Sequence, residues 1–145
     1  MDCPRCKIDL QTERYKGIEI ERCPKCKGMW LDHPELDQLE DTVFSDDDVK
    51  GMTMYARRGS NTACPKCGRG MTIFNYRAYD LPIDYCEEEH GFWLDGGEEK
   101  RVLELMKQRS KDLDRSAAAQ KAWSRLVHGV GSQSFLDKVK GLWKR

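Results

Sequence analysis

Apolar residues come in short bursts along this chain, most no longer than a strand or a helical turn. Ile18-Glu19-Ile20-Glu21 alternates apolar and polar with a period of two, as a strand with one buried face does. Lys16-Gly17 just ahead of it has the composition of a hairpin turn. A second run rich in strand formers spans Met71 to Tyr79; Pro82 interrupts it, and Ile83–Tyr85 reads as a short return strand. Asp32-His33-Pro34-Glu35 and Asp95-Gly96-Gly97-Glu98 each set a side-chain acceptor three residues before a Glu, the arrangement that caps a helix start. The first predicted helix covers Pro34 to Glu40. The second is long, because neither Gly nor Pro occurs between Glu98 and His128. Its apolar stripe is irregular: Val102, Leu103, Leu105, Met106, Leu113, Ala117, Trp123, Leu126 and Val127. After a hinge at Gly129-Val130-Gly131, Ser134 caps a last predicted helix, with Phe135, Leu136, Val139, Leu142 and Trp143 on one side and Lys138, Lys140, Lys144 and Arg145 around it.

The punctuation between these elements is chemical. Cys3-Pro-Arg-Cys6 is answered by Cys23-Pro-Lys-Cys26, and Cys64-Pro-Lys-Cys67 by Cys86 with His90 four residues on. A two-residue gap lets both thiolates of one tight turn face a common ion, and two such turns close a tetrahedral cage. The same order occurs twice, so the chain contains an internal repeat. Gly28-Met29-Trp30-Leu31-Asp32 returns as Gly91-Phe92-Trp93-Leu94-Asp95, 63 positions later, while the first cysteines recur 61 apart. The difference falls between the cysteine pairs, where a hairpin tip absorbs it.

Cys3, Cys6, Cys23 and Cys26 make a four-thiolate site, saturated and structural for zinc; iron fits the same donors, and visible absorbance distinguishes the two. In the second site Glu89 stands where the first copy has Cys26, and His90 one place later. The fourth ligand is therefore His90 or Glu89, or the site is altered or empty; imidazole is the better partner for zinc among thiolates. A thioredoxin-like redox pair is disfavoured, since the pairs are followed by hairpin signals or Gly-x-Trp rather than a helix. His33 and His128 read as surface or capping residues. Trp30 and Trp93 read as packing between knuckle and helix rather than as base-stacking platforms. Tyr76, Tyr79 and Tyr85, with Arg69 and Arg77, offer an exposed aromatic and basic surface on the second hairpin, or are ordinary strand composition.

Composition supports a metal-held fold. Of 145 residues, 34% are charged, and mean hydropathy is -0.77, too polar for a large oily core. A ribbon of about 40 residues is below the size at which burial alone offsets chain entropy. Zinc supplies the difference, with apparent values of about 10 kcal/mol or more in small modules. Seven cysteines, an odd number, follow a start at Met1-Asp2 that has neither a basic stretch nor an apolar run. Both point to a metal in a reducing cytoplasm rather than to disulfides. No segment approaches the roughly 18 apolar residues of a membrane span.

Charge is segregated. Residues 1–99 carry 13 Lys/Arg against 21 Asp/Glu, and residues 100–145 carry 12 against 4, so a net charge of zero hides halves of -8 and +8. The expected organisation is a ribbon with a short helix at 1–40, an acidic linker at 41–63, a second ribbon at 64–97, a long helix at 98–128 and a basic amphipathic helix at 132–145. Asp46-Asp47-Asp48 belongs to the linker as a solvated run.

From Cys3 to Leu36 the motif Cys-Pro-x-Cys, hairpin, Cys-Pro-x-Cys-x-Gly-x-Trp-Leu-Asp-x-x-Glu-Leu resembles the bacterial transcription-factor-IIB-like zinc-ribbon family. The second copy is similar at Cys64, Cys67, Cys86, Gly91, Trp93, Leu94, Asp95 and Glu98, and departs at Glu87 and Glu89. The resemblance implies two bound zinc ions. It also implies a module that binds polymerase, other proteins or nucleic acid without catalysing a reaction.

The fold expected is therefore a small metal-dependent α+β protein, two tandem zinc ribbons followed by a long C-terminal helix. The function expected is that of a non-catalytic zinc-binding adaptor associated with nucleic acid or transcription, with a protein partner such as RNA polymerase or nucleic acid itself and no small-molecule substrate. Lys100, Arg101, Lys107, Arg109, Lys111, Lys138, Lys140, Lys144 and Arg145 are the candidate contacts. A protein-interaction scaffold without nucleic acid, or attachment to a membrane surface through the terminal helix, are the alternatives.

Overall fold

The computed structural model of the protein describes residues 1–45 and 54–130. The Asp46–Asp48 run, the predicted terminal helix at 132–145 and its Lys138, Lys140, Lys144 and Arg145 lie outside the described residues. The chain divides into a unit at Met1–Lys107 and a second at Gln108–Arg145.

Seven strands and two α-helices are described: β1 (Gln11–Tyr15), β2 (Ile18–Arg22), β3 (Met29–Leu31), α1 (His33–Asp41), β4 (Tyr55–Ala63), β5 (Gly70–Asn75), β6 (Pro82–Tyr85), β7 (Phe92–Leu94) and α2 (Glu98–Val130). The expected hairpins are β1–β2, turning at Lys16-Gly17 with both residues left-handed (φ 49° and 84°), and β5–β6. Between the latter two, a 3-10 turn at Tyr76–Ala78 ends the strand earlier than the run to Tyr79 implied.

The two copies are not separate domains. All seven described strands join one antiparallel sheet in the order β1-β2-β3-β7-β6-β5-β4. Its centre is the last strand of each copy, paired Met29 with Leu94, Trp30 with Trp93 and Leu31 with Phe92. Residues 55–63, assigned from sequence to a linker, form the edge strand β4. The repeat explains why: Ala63 pairs with Gly70, and in the first copy Asp2 pairs with Asp9, the same bridge around the first knuckle. The second copy extends that bridge into a nine-residue strand.

Successive residues of a strand face opposite sides, and the sheet is covered on both. Met29, Leu31, Phe92 and Leu94 join Leu36 and Leu39 of α1 and Val102, Leu103 and Met106 of α2 in the larger core. Trp30 and Trp93 join Cys3, Cys23, Cys64 and Cys86 on the other side. Burial on both faces is why Met-Trp-Leu and Phe-Trp-Leu are uninterrupted apolar runs rather than alternating ones.

Each tryptophan covers the opposite copy's glycine. A Cβ on Gly28 would lie 2.3 Å from the Trp93 ring, and one on Gly91 would lie 3.0 Å from the Trp30 ring and 2.3 Å from the Leu31 carbonyl. The indoles therefore pack between copies, on the face opposite the helices. The expected position, between each knuckle and its own helix, is corrected accordingly.

Two polar contacts also cross between copies. Arg5 of the first knuckle reaches Asp95, the cap ahead of α2, through Nε at 3.0 Å and Nη2 at 2.9 Å, and Asp84 through Nη2 at 3.2 Å. Arg77, with a left-handed φ of 47°, turns inward to Glu40 of α1, at 2.8 Å from Nη2 and 3.2 Å from Nε. The Tyr76 hydroxyl donates to the same carboxylate. Tyr76 and Arg77 are thus buried, as is Tyr85, so of the aromatic-basic surface expected on the second hairpin only Arg69 and a half-buried Tyr79 remain outside the core.

Candidate metal centres

The Cys-Pro-x-Cys turns are built by the backbone. In the first, the Cys3 N–H donates to Ile8 O at 2.8 Å and the Lys7 N–H donates to Cys3 O at 2.9 Å, with Lys7 left-handed at φ 57°. Lys27 repeats this at φ 64° and Gly68 at φ 75°, their N–H groups donating to Cys23 O and Cys64 O. The turn also aims N–H groups at sulfur: Cys6 N lies 3.3 Å from Cys3 Sγ and Lys66 N 3.4 Å from Cys64 Sγ. Such bonds favour the thiolate that a metal needs.

The fourth knuckle is wound differently, and the winding selects its ligand. In the other three the left-handed residue is the fourth after the first cysteine. After Cys86 it is the third, Glu89 at φ 59°, whose N–H donates to Cys86 O at 2.9 Å. Shifting the turn by one residue leaves Glu89 exposed and brings His90 in among the sulfurs. Glu87 and Glu88 of this knuckle pair instead with Arg57 and Arg69.

Among the described residues, two groups of donors converge: Cys3, Cys6, Cys23 and Cys26, and Cys64, Cys67, Cys86 and His90, each with ligand atoms within 4.8 Å of one another. A tetrahedral zinc with Zn–S bonds of about 2.3 Å has S···S edges of about 3.8 Å. Cys3 Sγ to Cys26 Sγ and Cys67 Sγ to Cys86 Sγ are both 3.7 Å. His90 presents Nδ1, 3.5 Å from Cys86 Sγ and 3.9 Å from Cys64 Sγ, on either side of the S···N edge of about 3.6 Å that zinc sets. The donors fit the ion, and both groups are zinc sites. Every residue expected as a ligand is in place.

Burial pushes the Cys3 thiol up to about 12 and the Cys64 thiol up to about 11. Without an ion these groups keep their protons, so zinc binding releases protons and strengthens as pH rises. Cys67 is the one exposed ligand of the eight. His33 lies elsewhere, edge-on to Phe92 at 4.8 Å.

Of the candidate contacts at the helix, Lys100, Arg101, Lys107 and Lys111 are exposed, while Arg109 is partly covered. Among the described residues no helix is long and apolar enough to cross a membrane.

The sheet and its two donor sets define a small α+β zinc-binding protein. A family model described as a transcription factor zinc-finger matches residues 2–42, the whole of the first copy. No curated protein and no solved structure matches the chain.

Proposed function

We propose that the protein is a non-catalytic binding module associated with nucleic acid or transcription, with the zinc-held sheet as scaffold and the helix as the contact to phosphate. One observation carries this reading: four exposed cations of the described part of the second unit share one side of α2. Lys111, Arg115, Lys121 and Arg125 are exposed and fall within about 120° of arc on α2. The second unit holds 9 Lys/Arg against 3 Asp/Glu, and the first 16 against 22. A polyanion is drawn to one and repelled by the other. Arg115, Lys121 and Arg125 join the contacts expected from sequence, and Arg109 leaves them.

The zinc sites support the non-catalytic part. Four protein donors saturate a tetrahedral ion, leaving no position for water or substrate.

Titrating the full, zinc-loaded chain against duplex and single-stranded nucleic acid at increasing salt tests the proposal. Four phosphate contacts give a slope of log K on log salt of about -3 to -4 for duplex. Reversing all four cations to Glu is expected to weaken binding by about a hundredfold or more. Binding that survives the reversal, or a partner captured equally well after nuclease treatment, would overturn it in favour of a protein scaffold.

A further inference from the structure

Three of the large apolar side chains exposed on the described residues crowd into one turn and a half of α2: Trp123 at 68%, Leu126 at 61% and Val127 at 50% exposure. A patch of this kind on a helix marks an interaction surface. From the residues and charges around it, we infer that the second unit pairs antiparallel with α2 of a second copy of this chain.

The spacing is that of a paired helix. Leu113, Ser116, Gln120, Trp123 and Val127 recur at alternating steps of three and four, the seam along which two helices pack. The flanks are narrow, with Ala117 and Ser124 on one side and Ala119 on the other, so two backbones can approach closely. Lys111, Arg115, Lys121 and Arg125 all lie about 120° or more from the centre of the seam, so pairing leaves them at its outer side.

The order of residues along the seam selects the direction. An antiparallel pair centred on Gln120 sets Trp123 against Ala117 of the second copy and Leu113 against Val127, large facing small across the join. Gln120 then meets its own counterpart, and each amide supplies both a donor and an acceptor. A parallel pair would stack Trp123 on Trp123. Two Trp123 side chains bring about 400 Å², and the remaining seam positions carry the total towards the roughly 1,000 Å² of a specific interface. The cationic side stays open, so the pairing does not depend on what that side binds.

Sedimentation of the full, zinc-loaded chain is the test, with a dimer expected at a Kd of about 10 µM. Trp123→Glu with Val127→Glu is expected to weaken association by about tenfold or more while zinc content and helical circular dichroism are retained. Under mild glutathione oxidation Gln120→Cys is expected to link two chains above the wild-type background, and Leu113→Cys is not. A chain still monomeric at about 200 µM overturns the inference, as does a dimer indifferent to the Glu substitutions. Equal linking of both cysteine variants, the signature of a parallel pair, overturns it too. So does a monomer that floats with anionic vesicles, which would assign the patch to lipid.

Discussion

A methyl group on Gly28 would stand 2.3 Å from the Trp93 ring and 2.9 Å from its next carbon. The Gly-x-Trp spacing is therefore a contact between copies, in which each ring takes the space that the other copy's side chain leaves vacant. Gly28→Ala is expected to cost about 1–3 kcal/mol through overpacking, read as a lower thermal midpoint of the zinc-loaded chain. Gly59→Ala, where a Cβ meets nothing within 4 Å, is its control and is expected to be neutral or slightly stabilising. Sequence spacing exposed the zinc ligands almost completely, because a metal dictates donor type and interval over a few residues. Donor chemistry favoured His90 over Glu89, and the left-handed φ of Glu89 is what turns His90 inward. Spacing did not expose Tyr76 and Arg77 as interior groups. Their burial is set by Glu40, which is 36 and 37 positions away in the chain.

Helix starts were the most legible elements. Asp32 accepts from the Glu35 N–H at 2.8 Å while Glu35 accepts from the Asp32 N–H at 2.8 Å, and α1 runs His33–Asp41, close to the expected Pro34–Glu40. All the groups that decide such a start lie within one turn. Strand β4 was illegible because Tyr-Ala-Arg-Arg-Gly-Ser-Asn-Thr-Ala does not alternate; β5 holds it in place. The cap of α2 has a further property. Glu98 accepts from the Asp95 N–H at 2.8 Å, and burial, reinforced by the Asp95 and Asp84 carboxylates, pushes its carboxyl up from 4.5 to about 7. The folded chain thus holds this proton more tightly than the unfolded chain does. The resulting stability is full below about pH 4.5 and is lost as pH rises through about 7. Glu98→Gln keeps the acceptor and removes the charge. It is expected to raise the thermal midpoint over wild type by about 2–4 °C near pH 8, allowing for solvent screening, with the gain shrinking towards pH 5.

Across the whole first unit, the pairing of β3 with β7 makes the two zinc sites parts of one structure. Cys64→Ser is expected to lower zinc content from two ions to one and to drop the midpoint of residues 1–107 in a single transition, by more than any cavity substitution does. Two separate transitions, with the first copy unfolding as in wild type, would show that each ribbon stands alone. Sequence patterning announced two copies and could not announce their union, because nothing local in Met29–Leu31 or Phe92–Leu94 names the other strand as its partner.

That union also fixes an order of events during synthesis. The first donor set can collect its metal as soon as Cys26 leaves the ribosome, yet β3, once made, stays a bare edge until Phe92–Leu94 emerge. Throughout that wait the nearest complementary strand is β3 of another nascent chain, with the same Gly28 and Trp30. Neighbouring ribosomes on one message are therefore where this protein is most prone to exchange strands.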